Sequence, residues 1–264
     1  MLGSVHQCNV VEKIASPESR IVGSVRVDVA QSDLPYVCSV RVQNVHRCCA
    51  TILNPNWLLT SGHCTTDLGL DTISIVCGIR MYRIVSEIVL HPNFDATQWT
   101  GHDLALLRMR NALNFTSNVQ PIPLYDGAEL PADGTTGKAS IVGYERFRFG
   151  DASGSNWWNP MLQMAVVPIL SFCECQQRLG PTLSTYLTDF NICTDNAVST
   201  LPAIDGTSTC FGDSGAPVMI STDLQPYNLL AIPSWTVAPC GTGPSVHVRV
   251  APHLDWILAI IGVN

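Results

Sequence analysis

From Pro35 to about Leu107 the hydrophobic positions fall in short, β-branched-rich runs, which predict strands over 37–42, 50–53, 57–60, 72–76, 82–90 and 104–108. Turn residues separate them, as in Asn54-Pro55-Asn56 and His91-Pro92-Asn93. A second set of runs predicts strands over 139–144, 161–168, 217–220, 228–234 and 245–250. Between the two sets, residues 124–137 are rich in Gly, Pro and Asp and read as a linker. Near the C-terminus Leu254, Ile257, Leu258 and Ile261 stand at helical spacing, so a short amphipathic helix is expected over 251–263. Strands this short and this regularly spaced imply an all-β barrel or sandwich. No internal repeat and no low-complexity tract interrupts the pattern.

Composition narrows the class. The chain has 264 residues, 46% hydrophobic and 13% charged, enough for one large domain or two small ones. No apolar run reaches the ~18 residues of a membrane-spanning helix, so a soluble globular protein is expected. A formal net charge of −7 argues against nucleic acid or an anionic membrane as partner. Eleven cysteines, spaced unlike a zinc site, point to disulfides formed in an oxidising compartment. Because eleven is odd, at least one thiol is free or bridged outside the chain. Residues 1–20 lack the ~7–15-residue apolar core of a signal peptide.

Three polar clusters carry candidate chemistry. Ser208-Thr209-Cys210-Phe211-Gly212-Asp213-Ser214-Gly215 places a hydroxyl between glycines that permit a tight turn. A serine nucleophile needs a base and a group to orient that base. Thr60-Ser61-Gly62-His63-Cys64 supplies a histidine, and Gly101-His102-Asp103-Leu104 supplies an aspartate running into an apolar strand. The order His, Asp, Ser distinguishes this set from other hydrolases that reach the same geometry. An esterase elbow would read Gly-x-Ser-x-Gly with its histidine downstream, whereas here Ala216 follows Gly215 and the histidine comes first.

With these motifs in this order, the chain from Ile21 onward resembles the chymotrypsin/trypsin family of secreted serine proteases. The resemblance implies two six-stranded antiparallel β-barrels and a short C-terminal helix, with the active site in the cleft between the barrels. It implies a propeptide over 1–20 and a protease domain over 21–264, with a first barrel at about 30–123, the linker at 124–137, a second barrel at about 138–250 and the helix at 251–263. His63 is then the general base, Asp103 its orienting partner and Ser214 the nucleophile, with Ser234 helping to anchor the aspartate. The backbone N–H groups of Gly212 and Ser214 form the oxyanion hole. Cleavage after Arg20 frees the amine of Ile21 to pair with Asp213. His102 reads as a surface neighbour without a catalytic role.

The same resemblance implies bridges Cys48–Cys64, Cys175–Cys193 and Cys210–Cys240, and a further bridge Cys38–Cys77. Cys8, Cys49 and Cys173 have no implied partner, and Cys49 stands where the family has glycine. Ser208 at the base of the specificity pocket, in place of the aspartate of trypsin-like members, argues against cleavage after Arg or Lys. Thr236 and Ser245, on walls beside Ser234 and Trp235, narrow the slot toward small or medium apolar residues, as in elastase-like members. His247 takes the place of a family tyrosine.

No metal and no cofactor are expected, since the segment from Gly78 to Arg83 is too short for the calcium loop of pancreatic trypsins. Asn114-Phe115-Thr116 is a glycosylation sequon. Expected partners are protein or peptide substrates, an activating trypsin-like protease and protein protease inhibitors, for a secreted, extracellular monomer. The competing class is a non-catalytic protease homologue acting as a binding or regulatory protein, which usually lacks a triad residue; none is missing here.

Overall fold

The computed structural model describes residues 27–98, 101–127, 137–144, 162–195, 208–222, 226–238 and 240–262. The activation residues Arg20 and Ile21 and the cysteine at position 8 lie outside them.

The described residues form thirteen strands: β1 (Val27–Val29), β2 (Val37–Val42), β3 (Val45–Ile52), β4 (Trp57–Thr60), β5 (Ile73–Cys77), β6 (Met81–Leu90), β7 (Ala105–Met109), β8 (Lys138–Gly143), β9 (Leu162–Leu170), β10 (Asn191–Thr194), β11 (Val218–Ile220), β12 (Asn228–Thr236) and β13 (Ser245–Arg249). The first barrel closes in the order β2-β3-β4-β7-β6-β5. The second closes as β8-β9-β10-β13-β12-β11, with β1 added on the outer side of β9. All neighbours within both barrels pair antiparallel, so this is the chymotrypsin-like double barrel. Closure removes the unpaired strand edges that an open sheet would expose.

The two barrels share a core. Leu229 and Ile232 of β12, with Val248 of β13, pack in one apolar cluster with Ile52, Leu59, Leu106 and other first-barrel residues. β12 is buried on both faces from Asn228 to Trp235, which is why that run is nearly continuous in apolar residues. The closing helix α2 (Leu254–Ile261) buries Ile257 and Ile261 in the same cluster, and Gly262 in left-handed conformation donates its N–H to Leu258 to stop it.

Three features depart from the sequence expectation. Strand β10 and a helix α1 (Phe172–Leu183) lie in a segment for which no element was predicted. α1 opens on a reciprocal cap, Ser171 with Glu174, and is broken at Gly180 (φ 73°) just before Pro181. The beginning of the expected linker is packed: Tyr125 is buried in the second barrel and its N–H donates to Leu229.

Between described residues, disulfides join Cys38–Cys77, Cys48–Cys64, Cys175–Cys193 and Cys210–Cys240. Cys38 and Cys77 are directly opposed on β2 and β5. Cys173 is also bridged, and Cys49 is free and buried.

Candidate active site

Pairing of β4 with β7 brings two distant stretches together, with Thr60 opposite Ala105. His63 sits in a single helical turn (Gly62–Cys64) just past the end of β4, and Asp103 lies just before β7. The His63 backbone N–H donates to Asp103 Oδ1 (2.8 Å), and Nδ1 lies 2.7 Å from Oδ2. A carboxylate only accepts, so Nδ1 carries the proton and Nε2 is left as the ring's acceptor. Ser234 at the end of β12 donates its hydroxyl to the same Oδ2 at 2.5 Å. Asp103 is thus buried under three converging donors from both barrels, while the His63 side chain keeps 40% of its surface exposed.

The Ser214 loop belongs to the second barrel but is clamped by the first. The Cys49 N–H on β3 donates to the Ser214 carbonyl (2.8 Å), and Thr51 Oγ1 donates to the Gly215 carbonyl (3.1 Å). On the other side of the loop, His46 Nε2 donates to the Gly212 carbonyl (3.0 Å) while its Nδ1 accepts from Ser39 (2.8 Å). Turning the Gly212 carbonyl toward His46 is what a φ of 100° allows. Among the described residues, the N–H groups of Gly212 and Ser214 have no hydrogen-bond acceptor. No hydrogen bond joins Ser214 Oγ to His63 Nε2 among those residues; instead the Cys64 sulfur lies 3.7 Å from that nitrogen and 3.8 Å from the Ser214 carbonyl oxygen. His63 and Ser214 therefore flank one disulfide, and hydrogen bonds between such groups often tighten only with substrate present.

Gly215 is the tightest point of the clamp. Its φ is 87°, and a Cβ there would stand 2.1 Å from the Cys49 carbonyl oxygen and 2.3 Å from Thr60 Oγ1. Gly215→Ala is expected to destabilise the protein by several kcal/mol, on the order of 3, because strain and overlap coincide. Urea unfolding midpoints of the two proteins measure it, and a change under ~1 kcal/mol would show that the loop can yield.

Other residues singled out from sequence fall around this loop. Asp213 is buried, accepts from the Cys210 N–H (3.0 Å) and packs so closely on Gly143 that a Cβ there would overlap its Oδ1. Ser208 is buried, with its hydroxyl on the Thr209 carbonyl. Thr236 and Ser245 are register partners on β12 and β13, and their hydroxyl oxygens are 3.1 Å apart. Trp235, next to Thr236, is buried. Cys49 sends its thiol toward the Gly212 carbonyl (3.4 Å), and burial, reinforced by Asp213, pushes that thiol's pKa well up. The thiol is therefore a small packing group against the loop that carries Ser214.

Sequence reasoning missed His46, Ser39 and Thr51, which hold the nucleophile loop from the first barrel. A lone histidine in a strand gives no local sign of such a role. His102 needs correction: it is half-buried, stacked on His91 at 4.8 Å and within 3.1 Å of His253, not a free surface neighbour.

The family model described as "Trypsin" matches residues 21–257. The chain belongs to the trypsin family of serine proteases. Trypsin-1 of Astacus astacus is 31% identical over 258 residues, covering 90% of this chain and 99% of that protein. Serine proteinase stubble of Drosophila melanogaster is 28% identical over 267 residues, 94% of this chain but 32% of its own length. The His63–Asp103 pair of the first barrel meets Ser234 of the second where the two halves touch.

His247 on β13 is fully buried, with Nε2 against Thr194 Oγ1 (2.8 Å) and Nδ1 without a partner. Burial pushes its pKa down to about 3. The ring stays neutral when folded while an unfolded chain takes up a proton below pH ~6.5, so this stabilisation is complete above ~6.5 and is lost as pH falls toward 3. Thermal midpoints of wild type and His247→Tyr across pH 7.5 to 4 should diverge, with wild type losing a few kcal/mol more, on the order of 3. Parallel curves would remove His247 as the cause.

Proposed function

We propose that this chain is a secreted serine endopeptidase, made as a proenzyme and cut after Arg20, that hydrolyses peptide bonds after small or medium apolar residues. The observation that carries the reading is the Asp103 carboxylate, which holds His63 by its Nδ1 proton and leaves Nε2 to accept. In this reading His63 Nε2 takes the Ser214 Oγ proton as Oγ bonds to the scissile carbonyl carbon, and returns it to the departing amine. The N–H groups of Gly212 and Ser214 receive the oxyanion, each donor contributing ~3 kcal/mol to lowering the barrier. Water, activated by the same imidazole, then hydrolyses the acyl-enzyme.

Secretion is supported by the disulfides, and no helix among the described residues is long and apolar enough to cross a membrane. The apolar preference is supported by Ser208 in place of an acid and by the Thr236–Ser245 hydroxyl contact between neighbouring strands. Selectivity of this kind amounts to only ~1–3 kcal/mol, so the preference is broad. Activation is supported by the burial of the Asp213 carboxylate directly beside Ser214, where an ion pair would be shielded from solvent.

The test is a peptide-cleavage profile after limited trypsin treatment, with the N-terminus sequenced and Ser214→Ala as control. Cleavage after Ala, Val or Leu, present only once the chain starts at Ile21 and lost in the control, is the expected result. Cleavage after Phe or Tyr would keep the peptidase and overturn the narrowed pocket. No cleavage by the processed chain would favour a non-catalytic homologue.

A further inference from the structure

Outside the catalytic cluster, three histidines from separate parts of the chain meet. His91 follows β6, His102 lies in the turn before Asp103, and His253 ends the 3-10 turn that leads into α2. The three offer one ligand nitrogen each, all within 4.8 Å of one another. His102 Nδ1 and His253 Nε2 are 3.1 Å apart. His91 stacks on His102 and meets His253 edge-on at 4.9 Å, with Phe190 and Trp256 packed around the group.

The hydrogen bonds fix the tautomers. His253 donates its Nδ1 proton to the Arg249 carbonyl (2.8 Å) and its Nε2 accepts the His102 Nδ1 proton (3.1 Å), so an ion between these two nitrogens takes the place of that proton as His102 moves it to Nε2. A metal-bound histidine typically makes an outer hydrogen bond such as that of His253 to a backbone carbonyl. His91 Nδ1 accepts from the Asn93 N–H at 3.2 Å, so its own proton is on Nε2. His102 is only half-buried and leaves a way in from solvent. Neutral imidazole suits zinc, copper and nickel among divalent ions.

We propose that His91, His102 and His253 bind a zinc-class divalent ion, with water as the remaining ligand. Zinc–nitrogen bonds of ~2.0–2.1 Å set neighbouring nitrogens roughly 3.3 Å apart in a tetrahedral site. The His102–His253 pair already stands near that spacing, whereas His91 has to leave its stack on His102 and approach by on the order of 1 Å. Because His102 directly precedes Asp103, an ion held there restrains the segment that orients His63. Occupancy therefore lowers peptidase activity, a consequence that rests on the proposed function, whereas binding itself does not.

Zinc chloride titrated into the processed Ser214→Ala chain, followed by calorimetry at pH 7.5, tests the site without reference to activity. One site per chain is expected. His91→Gln and His102→Asn should each weaken it at least ~10-fold, whereas His63→Ala leaves it unchanged. Circular dichroism and thermal midpoints show that each variant is folded, and the half-buried position of His102 makes its replacement the safer of the two. No binding by the folded protein, or binding untouched by both substitutions, overturns the site. In the Ser214 protein, zinc inhibition that disappears in His102→Asn supports the link to Asp103. Inhibition that persists there assigns the effect to His63 and overturns that link.

Discussion

Replacing Ser214 by alanine is expected to lower the turnover number of the processed protein by roughly a million-fold, with little change in its thermal midpoint. In the proposed mechanism the hydroxyl is the atom that bonds to substrate, and nothing in the described structure can stand in for it. Cys49, the nearest thiol, is buried, faces the Gly212 carbonyl and is held as the neutral thiol, so it is no substitute nucleophile. Fold integrity should survive, because the contacts that clamp residue 214 run through its backbone carbonyl to the Cys49 N–H and not through Oγ. Adding His63→Ala to the same chain should cost less than another ~10-fold, since the two groups act as a unit. Turnover of a chromogenic peptide by the three proteins measures this. Residual activity within ~100-fold of wild type would mean that another group performs the chemistry.

Asp103→Asn is expected to reduce turnover by ~10,000-fold while changing the Michaelis constant little. Three donors converge on the two carboxylate oxygens: the His63 N–H, the His63 Nδ1–H and the Ser234 hydroxyl. An amide of the same shape offers one oxygen and an NH2 group, so one donor must face another donor. The least costly relief is for His63 to move its proton to Nε2, where the ring no longer accepts from Ser214. Stability should fall by only ~1–3 kcal/mol, the ordinary cost of a frustrated buried hydrogen bond. Proton resonances of the imidazole would report the tautomer directly. Near-normal turnover with Nδ1 still protonated would show that the carboxylate's charge is dispensable.

What could be read from the sequence, and what could not, follows from the range of the interactions. Strands β2, β4 and β6 are visible in their apolar runs because strand preference and alternation are local properties. α2 is visible for the same reason, although it stops at Ile261 before the left-handed Gly262 instead of running to 263. α1 was overlooked although Ser171 and Glu174 are a readable cap, because Gly180 and Pro181 interrupt the helical pattern soon after it begins. The packed start of the linker was also hidden: Tyr125 is buried with Leu230 and Ala231, residues more than a hundred positions away, and its N–H donates to Leu229.

The sequence by itself determined the family, the double-barrel class, and the order in which His63, Asp103 and Ser214 occur, since short motifs carry those signals intact. Only the tertiary structure decided how the nucleophile loop is held. Cys49, Thr51 and His46 meet residues 212–215 across more than 160 positions of chain, and no local pattern marks such a contact. The same holds for His91, His102 and His253, three unremarkable residues until barrel closure and the docking of the C-terminal helix bring their rings into contact. Local propensity selects the elements; the burial of apolar faces against one another chooses which polar groups become neighbours.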